Sequence, residues 1–189
     1  FVIFGRKHWN TSAVRGVTSD APGNLQGMTA EQVIDALGLE YLDGEGCWIR
    51  LLWRTAHANA IYALLTPTHF SAMHRLVEDE AWTFVAGAAA EILVLHTDGA
   101  HEVVHLGGDP SAGQVAHHRI PAHTWQGSVS LGEWTLVTCV LAPPFSGFEL
   151  ADAATDFAGW PNAESAISVD EVKPVSQGQV VVVTGASGH

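Results

Sequence analysis

From Gly46 to Leu141 the chain repeats one pattern: a short segment rich in β-branched, aromatic or leucine side chains, then a turn. The segments are 47–53, 60–65, 81–86, 91–96, 101–106, 118–120, 127–131 and 134–141. Between them lie the Asn, Asp, Gly and Pro residues that turn a backbone, as in Thr97-Asp-Gly99 and Gly107-Gly-Asp-Pro110. Short strands recurring about every ten residues predict an all-β sandwich, jelly roll or barrel. No second long helix interrupts them, so a βαβ arrangement is excluded for this region. Segment 134–141 is largely apolar, as expected of a strand covered on both faces.

One helix precedes the strands. Thr29-Ala-Glu-Gln32 has the form of a capping box, Val33, Ile34 and Leu37 follow at helical spacing, and Gly38 supplies the stop, so a helix is predicted over about 30–37. Residues 1–27 read as an N-terminal extension or linker, 28–161 as the domain, with Trp160 as a last anchoring contact, and 162–177 as a polar linker. The end, 178–189, is different. A polar lead, four valines and Thr184-Gly185-Ala-Ser-Gly188 resemble the opening of a short-chain dehydrogenase or related dinucleotide-binding domain. Gly185 and Gly188 would then approach the cofactor, NAD(P), but only in a completed domain. The start at Phe1 and the stop at His189 in mid-pattern suggest a piece of a longer reading frame. An ordinary edge strand is the alternative.

Charge narrows the partners. The chain has 8 basic and 20 acidic residues, a formal charge of −12, which argues against nucleic acid and anionic membranes. No segment reads as a membrane span or a basic-then-apolar leader, so a soluble, cytoplasmic protein is expected. Cys47 and Cys139 have no motif spacing and read as reduced, buried thiols, a single bridge being the other possibility.

The most informative stretch for chemistry is 71–87, an apolar, turn-rich segment holding His74 and Glu80 six residues apart and closing at Gly87. Pointing into a barrel, the two would need each other, a metal or a ligand. Other histidines have plainer readings. His96, His101 and His105 fit a solvated hairpin face, and the adjacent His117 and His118 must point to opposite faces.

Met28-Thr-Ala-Glu31, Ala60-Ile-Tyr-Ala-Leu-Leu65, the 71–87 stretch, Ile120-Pro-Ala-His-Thr-Trp-Gln126 and Phe148-Glu-Leu-Ala151 occur in one order. Together, over about 28–161, they resemble a family of small bacterial and fungal cupins of unassigned function, similar to sugar epimerases. The resemblance implies an all-β double-stranded β-helix, the cupin jelly roll, with one short N-terminal helix and commonly a homodimer. In the general cupin pattern two histidines, a glutamate and a glycine form the first motif; His74, Glu80 and Gly87 match, while Leu76 stands at the second histidine. In the second motif Pro121 matches, His123 stands where glycine is usual, and Gln126 replaces the histidine. Thr83 occupies a place where relatives often carry another histidine. The ligand set is therefore eroded: His74, Glu80 and Gln126 would hold at most a labile divalent ion, Gln being a weak transition-metal ligand.

Two functions follow as expectations. In the first, the barrel binds a small polar, sugar-like ligand and carries out isomerase or epimerase chemistry. His74 is then the base, Glu80 tunes it and Tyr62 is the acid, with Trp82 and Trp125 walling the pocket and Thr83, Gln126 and His123 contacting the ligand. In the second, the cupin is a non-catalytic binding or dimerisation module fused to a reductase domain. A metal-dependent oxygenase is a weaker third.

Overall fold

The computed structural model describes residues 23–152, 154–160 and 163, together with the backbone of Ile167–Ser168 and Val181–Val182. The expected helix forms as α1 (Ala30–Leu37). Thr29 caps it: the Gln32 amide donates to the Thr29 hydroxyl at 3.4 Å, and the Thr29 amide donates to the Gln32 side chain at 2.9 Å. Gly38, at φ 60°, takes the left-handed conformation that ends the helix. No helix among the described residues is long and apolar enough to cross a membrane.

The rest is β-structure: β1 (Glu40–Tyr41), β2 (Trp48–Arg54), β3 (Asn59–Leu65), β4 (Ser71–Leu76), β5 (Glu80–Gly87), β6 (Ala90–Leu95), β7 (His101–Leu106), β8 (His117–Ile120), β9 (Trp125–Ser130), β10 (Thr135–Leu141), β11 (Phe148–Leu150), β12 (Ile167–Ser168) and β13 (Val181–Val182). Two antiparallel sheets, ordered β1-β2-β3-β10-β5-β8 and β11-β4-β9-β6-β7, form the all-β jelly roll. Ser71–Leu76, the first end of the 71–87 stretch, is a strand paired with β9 and β11. The four-valine segment enters a short antiparallel pair, Ile167 opposite Val182 and Ser168 opposite Val181. Gly185 and Gly188 lie outside the described residues, as do most of the expected extension and linker.

Side chains alternate across each strand, so every sheet has an inner and an outer face. Ile49, Ala63, Leu65, Ile92, Val94, Leu106, Ile120 and Val137 pack together between the sheets, with the free thiols Cys47 and Cys139 among them. Burial first, then Glu45 for Cys47 and Glu80 for Cys139, pushes both thiols well above their ordinary range.

Both outer faces are also covered. Helix α1 and Leu25 lie on the six-stranded sheet, where Val33 packs with Leu64, Trp134 and Leu136, and the Trp134 indole donates to the Met28 carbonyl at 2.8 Å. The segment after β11 lies on the five-stranded sheet through four of its described residues. There Ala151, Phe157, Trp160 and Ala163 pack on Met73, Leu93 and Leu95, and Trp160 is anchored through its indole to the His96 carbonyl at 2.7 Å.

Candidate functional site

Register places the polar residues in one layer of the barrel. On the five-stranded sheet His74 of β4 lies opposite Gln126 of β9, Gln126 opposite Val94 of β6, and Val94 opposite Glu102 of β7. On the facing sheet Glu80 of β5 lies opposite Ile120 of β8, and Trp82 opposite His118. The two halves are joined where the Gln126 amide donates to Glu80 at 2.6 Å. His74, Glu80, Trp82 and Gln126 are 3, 5, 3 and 1% exposed, so this layer lies inside the molecule.

The turn before β5 aims Glu80. Asp79 accepts from the Ala122 amide at 2.8 Å and from the Arg119 guanidinium at 2.5 Å. Arg119 first, then that amide, holds the Asp79 carboxyl below its ordinary range. Glu80 behaves oppositely. Burial raises its pKa, and His74, the Trp82 indole and the Gln126 amide offset this only in part. Trp82 helps the Glu80 anion by its proximity, but its N–H makes no hydrogen bond of good geometry and remains unpartnered. Gln126 Oε1 and Ser128 Oγ are likewise buried and unpartnered.

His74 has a fixed tautomer. Its Nδ1 lies 2.8 Å from the Ala72 carbonyl, which can only accept, so Nδ1 carries the proton. The Ser71 hydroxyl sits 3.4 Å from the same nitrogen and donates to Glu45 at 2.7 Å. Nε2 forms no hydrogen bond to a described residue. On a neutral imidazole it therefore holds a free lone pair.

Of the residues singled out in the sequence, His74, Glu80, Trp82 and Gln126 come together. Tyr62 does not: it packs outside the barrel, beneath α1 with Leu64 and Val33, because Ile61 and Ala63 take the inner positions on β3. Trp125 faces the other way too, against Met73 and Phe157, with the Arg75 guanidinium 4.8 Å from its ring. Thr83 follows Trp82 and so points outward, 3.0 Å from His117 Nδ1. His123 is exposed on the β8–β9 turn. Its φ of 63° accounts for the glycine usual at that place, and its amide donates to the Leu76 carbonyl at 2.7 Å. As a site, the constellation of Tyr62, Thr83 and Trp125 is corrected: all three lie on outer faces.

The structure adds Glu45 and Glu102, which the sequence reading passed over, and gives His118 and His96 a partner. Glu45 reaches Ser71 from the β1–β2 turn, and His118 faces Glu102 at 3.4 Å. His96 also reaches Glu102, at 3.0 Å, rather than standing free on a solvated face. Only His118 carried a usable signal. If Ile120 points inward, so must a residue two positions earlier.

A metal fits this donor set poorly. Gln126 turns its NH₂ toward Glu80, Leu76 contributes no donor, and among the described residues no three His, Cys, Asp or Glu side chains form a metal-holding group. The cleft of about 630 Å³ on the outer surface, between 23–29 and 85–88, lies away from these residues. It contains no comparable cluster.

The sequence from 31 to 154 matches the family described as Cupin superfamily (DUF985). Among solved structures, a hypothetical protein from Leishmania major is 26% identical with a TM-score of 0.67, over 72% of this chain and 94% of that one. A protein from Shewanella oneidensis is 30% identical with a TM-score of 0.62, over 66% of this chain and 85% of its own. No curated protein is similar enough in sequence to count as a relative. The family match ends before the C-terminal valines and lends the dinucleotide-binding reading no support.

Proposed function

The chain belongs to the cupin superfamily, in its DUF985 family, and from that premise we propose that its barrel binds a small polar ligand against His74, Glu80 and Gln126, with His74 acting on it as a base. The observation carrying this reading is the Nδ1–H to Ala72 bond, which leaves Nε2 as proton acceptor inside the barrel. Glu80 beside it stabilises the imidazolium that proton uptake creates. Gln126 Oε1, Trp82 Nε1 and Ser128 Oγ offer the ligand an acceptor, a donor and a group that can be either. With Tyr62 outside the barrel, one base and one carboxylate remain for the chemistry. That suits proton exchange at carbon next to a carbonyl, the elementary step of an isomerase or epimerase.

The test has two stages. A thermal-shift screen of sugars and polyols finds a binder, which raises the melting temperature as ln(1 + [L]/Kd). Solvent-deuterium exchange into that binder is then followed, and a positioned base is worth about 10²–10⁴-fold in rate. Exchange at the same rate in His74→Ala would sink the catalytic half.

A purely binding role is the second reading, favoured by the outward placement of Tyr62 and the thinned metal-ligand set. It predicts thermal shifts with no exchange. A homodimer is part of the proposal and rests on family resemblance. Light scattering of the purified protein checks the dimer.

A further inference from the structure

We infer that the ligand of this barrel is a hydroxylated anion, its carboxylate or phosphate taken by Arg54 at the rim while its other end lies against His74, an inference that rests on the barrel being the ligand site. One row of the six-stranded sheet carries Arg54 to the polar end. Arg54, the last residue of β2, lies opposite Asn59, the first of β3; Asn59 lies opposite Leu141, and Leu141 opposite Glu80. Directly opposed residues of an antiparallel sheet share a face, so Arg54 stands on the inner face with Glu80, at the same end of the barrel. Contacts then join the guanidinium to the base. Arg54 donates to the Phe145 carbonyl at 3.0 Å. The Phe145 ring lies 6.0 Å from that of Phe148, and the Phe148 ring 6.2 Å from the imidazole of His74. Asn59, 2% exposed, pins the same segment by accepting from the Phe145 amide at 2.6 Å, and Ser146 donates to the buried Glu78 at 2.5 Å.

The protein leaves this guanidinium open. Arg75 pairs with Glu149 at 2.7 Å and Arg119 with Asp79, whereas Arg54 makes no ion pair with a described carboxylate, and the Phe145 carbonyl is its one hydrogen-bond partner among the described residues. A guanidinium carries its donors in a planar fork, and those left over match the two oxygens of a carboxylate or phosphate. The carboxylates of this end have partners of their own: Glu102 faces His96 and His118 at 3.0 and 3.4 Å, and Glu80 takes the Gln126 amide at 2.6 Å. Phe145 and Phe148 are half-buried, so part of each ring stays open to a carbon skeleton. Beyond them, Gln126 Oε1 and Ser128 Oγ are buried without partners and suit the hydroxyls of the ligand. An exposed arginine alone would not argue for a ligand. This one stands in the inner row, faces no carboxylate and heads an aromatic strip that ends at the base.

The test uses probes that share one sugar ring and differ at one carbon: glucose, glucuronate and glucose 6-phosphate. Each is titrated at pH 8 while the Trp82 indole resonance is followed by NMR. One of the anions should bind about tenfold more tightly than glucose, and the tighter of the two identifies carboxylate or phosphate as the group recognised. In Arg54→Gln that advantage should fall below about twofold while the affinity for glucose holds. A guanidinium that merely braced Phe145 would instead weaken all the probes alike. Raising the salt concentration should shrink the advantage in the wild type, a check that does not depend on how the variant folds. Glucose binding as tightly as both anions, an advantage indifferent to salt or surviving in Arg54→Gln, or an equal loss for every probe overturns the inference and leaves the barrel reading standing. If no probe moves Trp82, the barrel reading fails and takes this inference with it.

Discussion

The same strands build both ends of the barrel interior, yet the two ends differ in kind. Along β6 the inward positions run Ala90, Ile92, Val94; along β7 they run Leu106, Val104, Glu102; along β5 they run Phe84, Trp82, Glu80. One end is therefore packed hydrocarbon, closed by the Ser130–Thr135 hydroxyl bond at 2.8 Å. The other holds His74, Glu80, Gln126, Glu102 and His118. The change from core to site takes one or two inward positions on each strand. Stability and chemistry thus occupy separate layers of one framework, and substitutions at the two ends should differ in what they damage.

The largest expected effect is at the apolar end. Gly87 has φ +92°, and a Cβ there would overlap the Trp134 carbonyl and come within 2.6 Å of its ring. Gly87→Ala should cost about 3 kcal/mol or more in urea denaturation, through backbone strain and overpacking together. A cost below about 1 kcal/mol would mean that β5 and Trp134 yield easily, and the apolar end would lose its standing as the rigid one.

Next is Ile92, fully buried among Ala63, Leu65 and Val137. Ile92→Ala should cost about 2–5 kcal/mol, read as a lower urea midpoint at unchanged slope. Ligand affinity, measured while the variant is still folded, should hold. A parallel loss of affinity would show that the two layers are coupled.

At the polar end the expected effect is smaller and depends on pH. Burial raises the Glu80 pKa in the folded chain above its unfolded value. The folded state therefore binds that proton more tightly, and its contribution to stability is full below the unfolded range, near 4.3. It is lost as pH rises through the raised folded value. Glu80→Gln removes the titration, so the stability of wild type relative to this variant should fall as pH climbs above about 4.3, with a slope no steeper than about 1.4 kcal/mol per unit. A difference that grows with pH would mean that His74 and Gln126 outweigh burial.

How legible all this was depended on which faces are covered. Helix α1 declared itself through Thr29, Gln32 and Gly38, signals that need no tertiary context. Most strands were legible from their composition and turns. The bounds of β4 were not, because Met73 serves the outer cluster while His74 and Leu76 face inward, leaving no polar alternation to read. Tyr62 and Trp125 were misplaced for the same reason. With α1 on one sheet and Ala151, Phe157, Trp160 and Ala163 on the other, both faces of the central strands are apolar, and composition does not mark the inside. Only register does, and a one-residue change of parity reverses every side chain. Family motifs fixed that parity for His74, Glu80 and Gln126, but Glu45 and Glu102 stood outside any motif.

The smallest expected effects fall on those misplaced residues, and they sharpen the comparison most directly. Thr83 is half-buried on the outer face with His117 as its partner, so Thr83→Ala should change stability by no more than about 0.5 kcal/mol. Tyr62 is buried beneath α1, so Tyr62→Phe should cost about 1 kcal/mol through its hydroxyl while keeping the ring's packing against Leu64. Neither should alter ligand affinity or proton exchange, although both sit one residue from inward-facing neighbours. A tenfold fall in exchange with Tyr62→Phe at unchanged affinity would require the phenol to act through the sheet. The separation between inner and outer faces would then be wrong for β3, whose alternation of Ile61, Tyr62 and Ala63 now supports it.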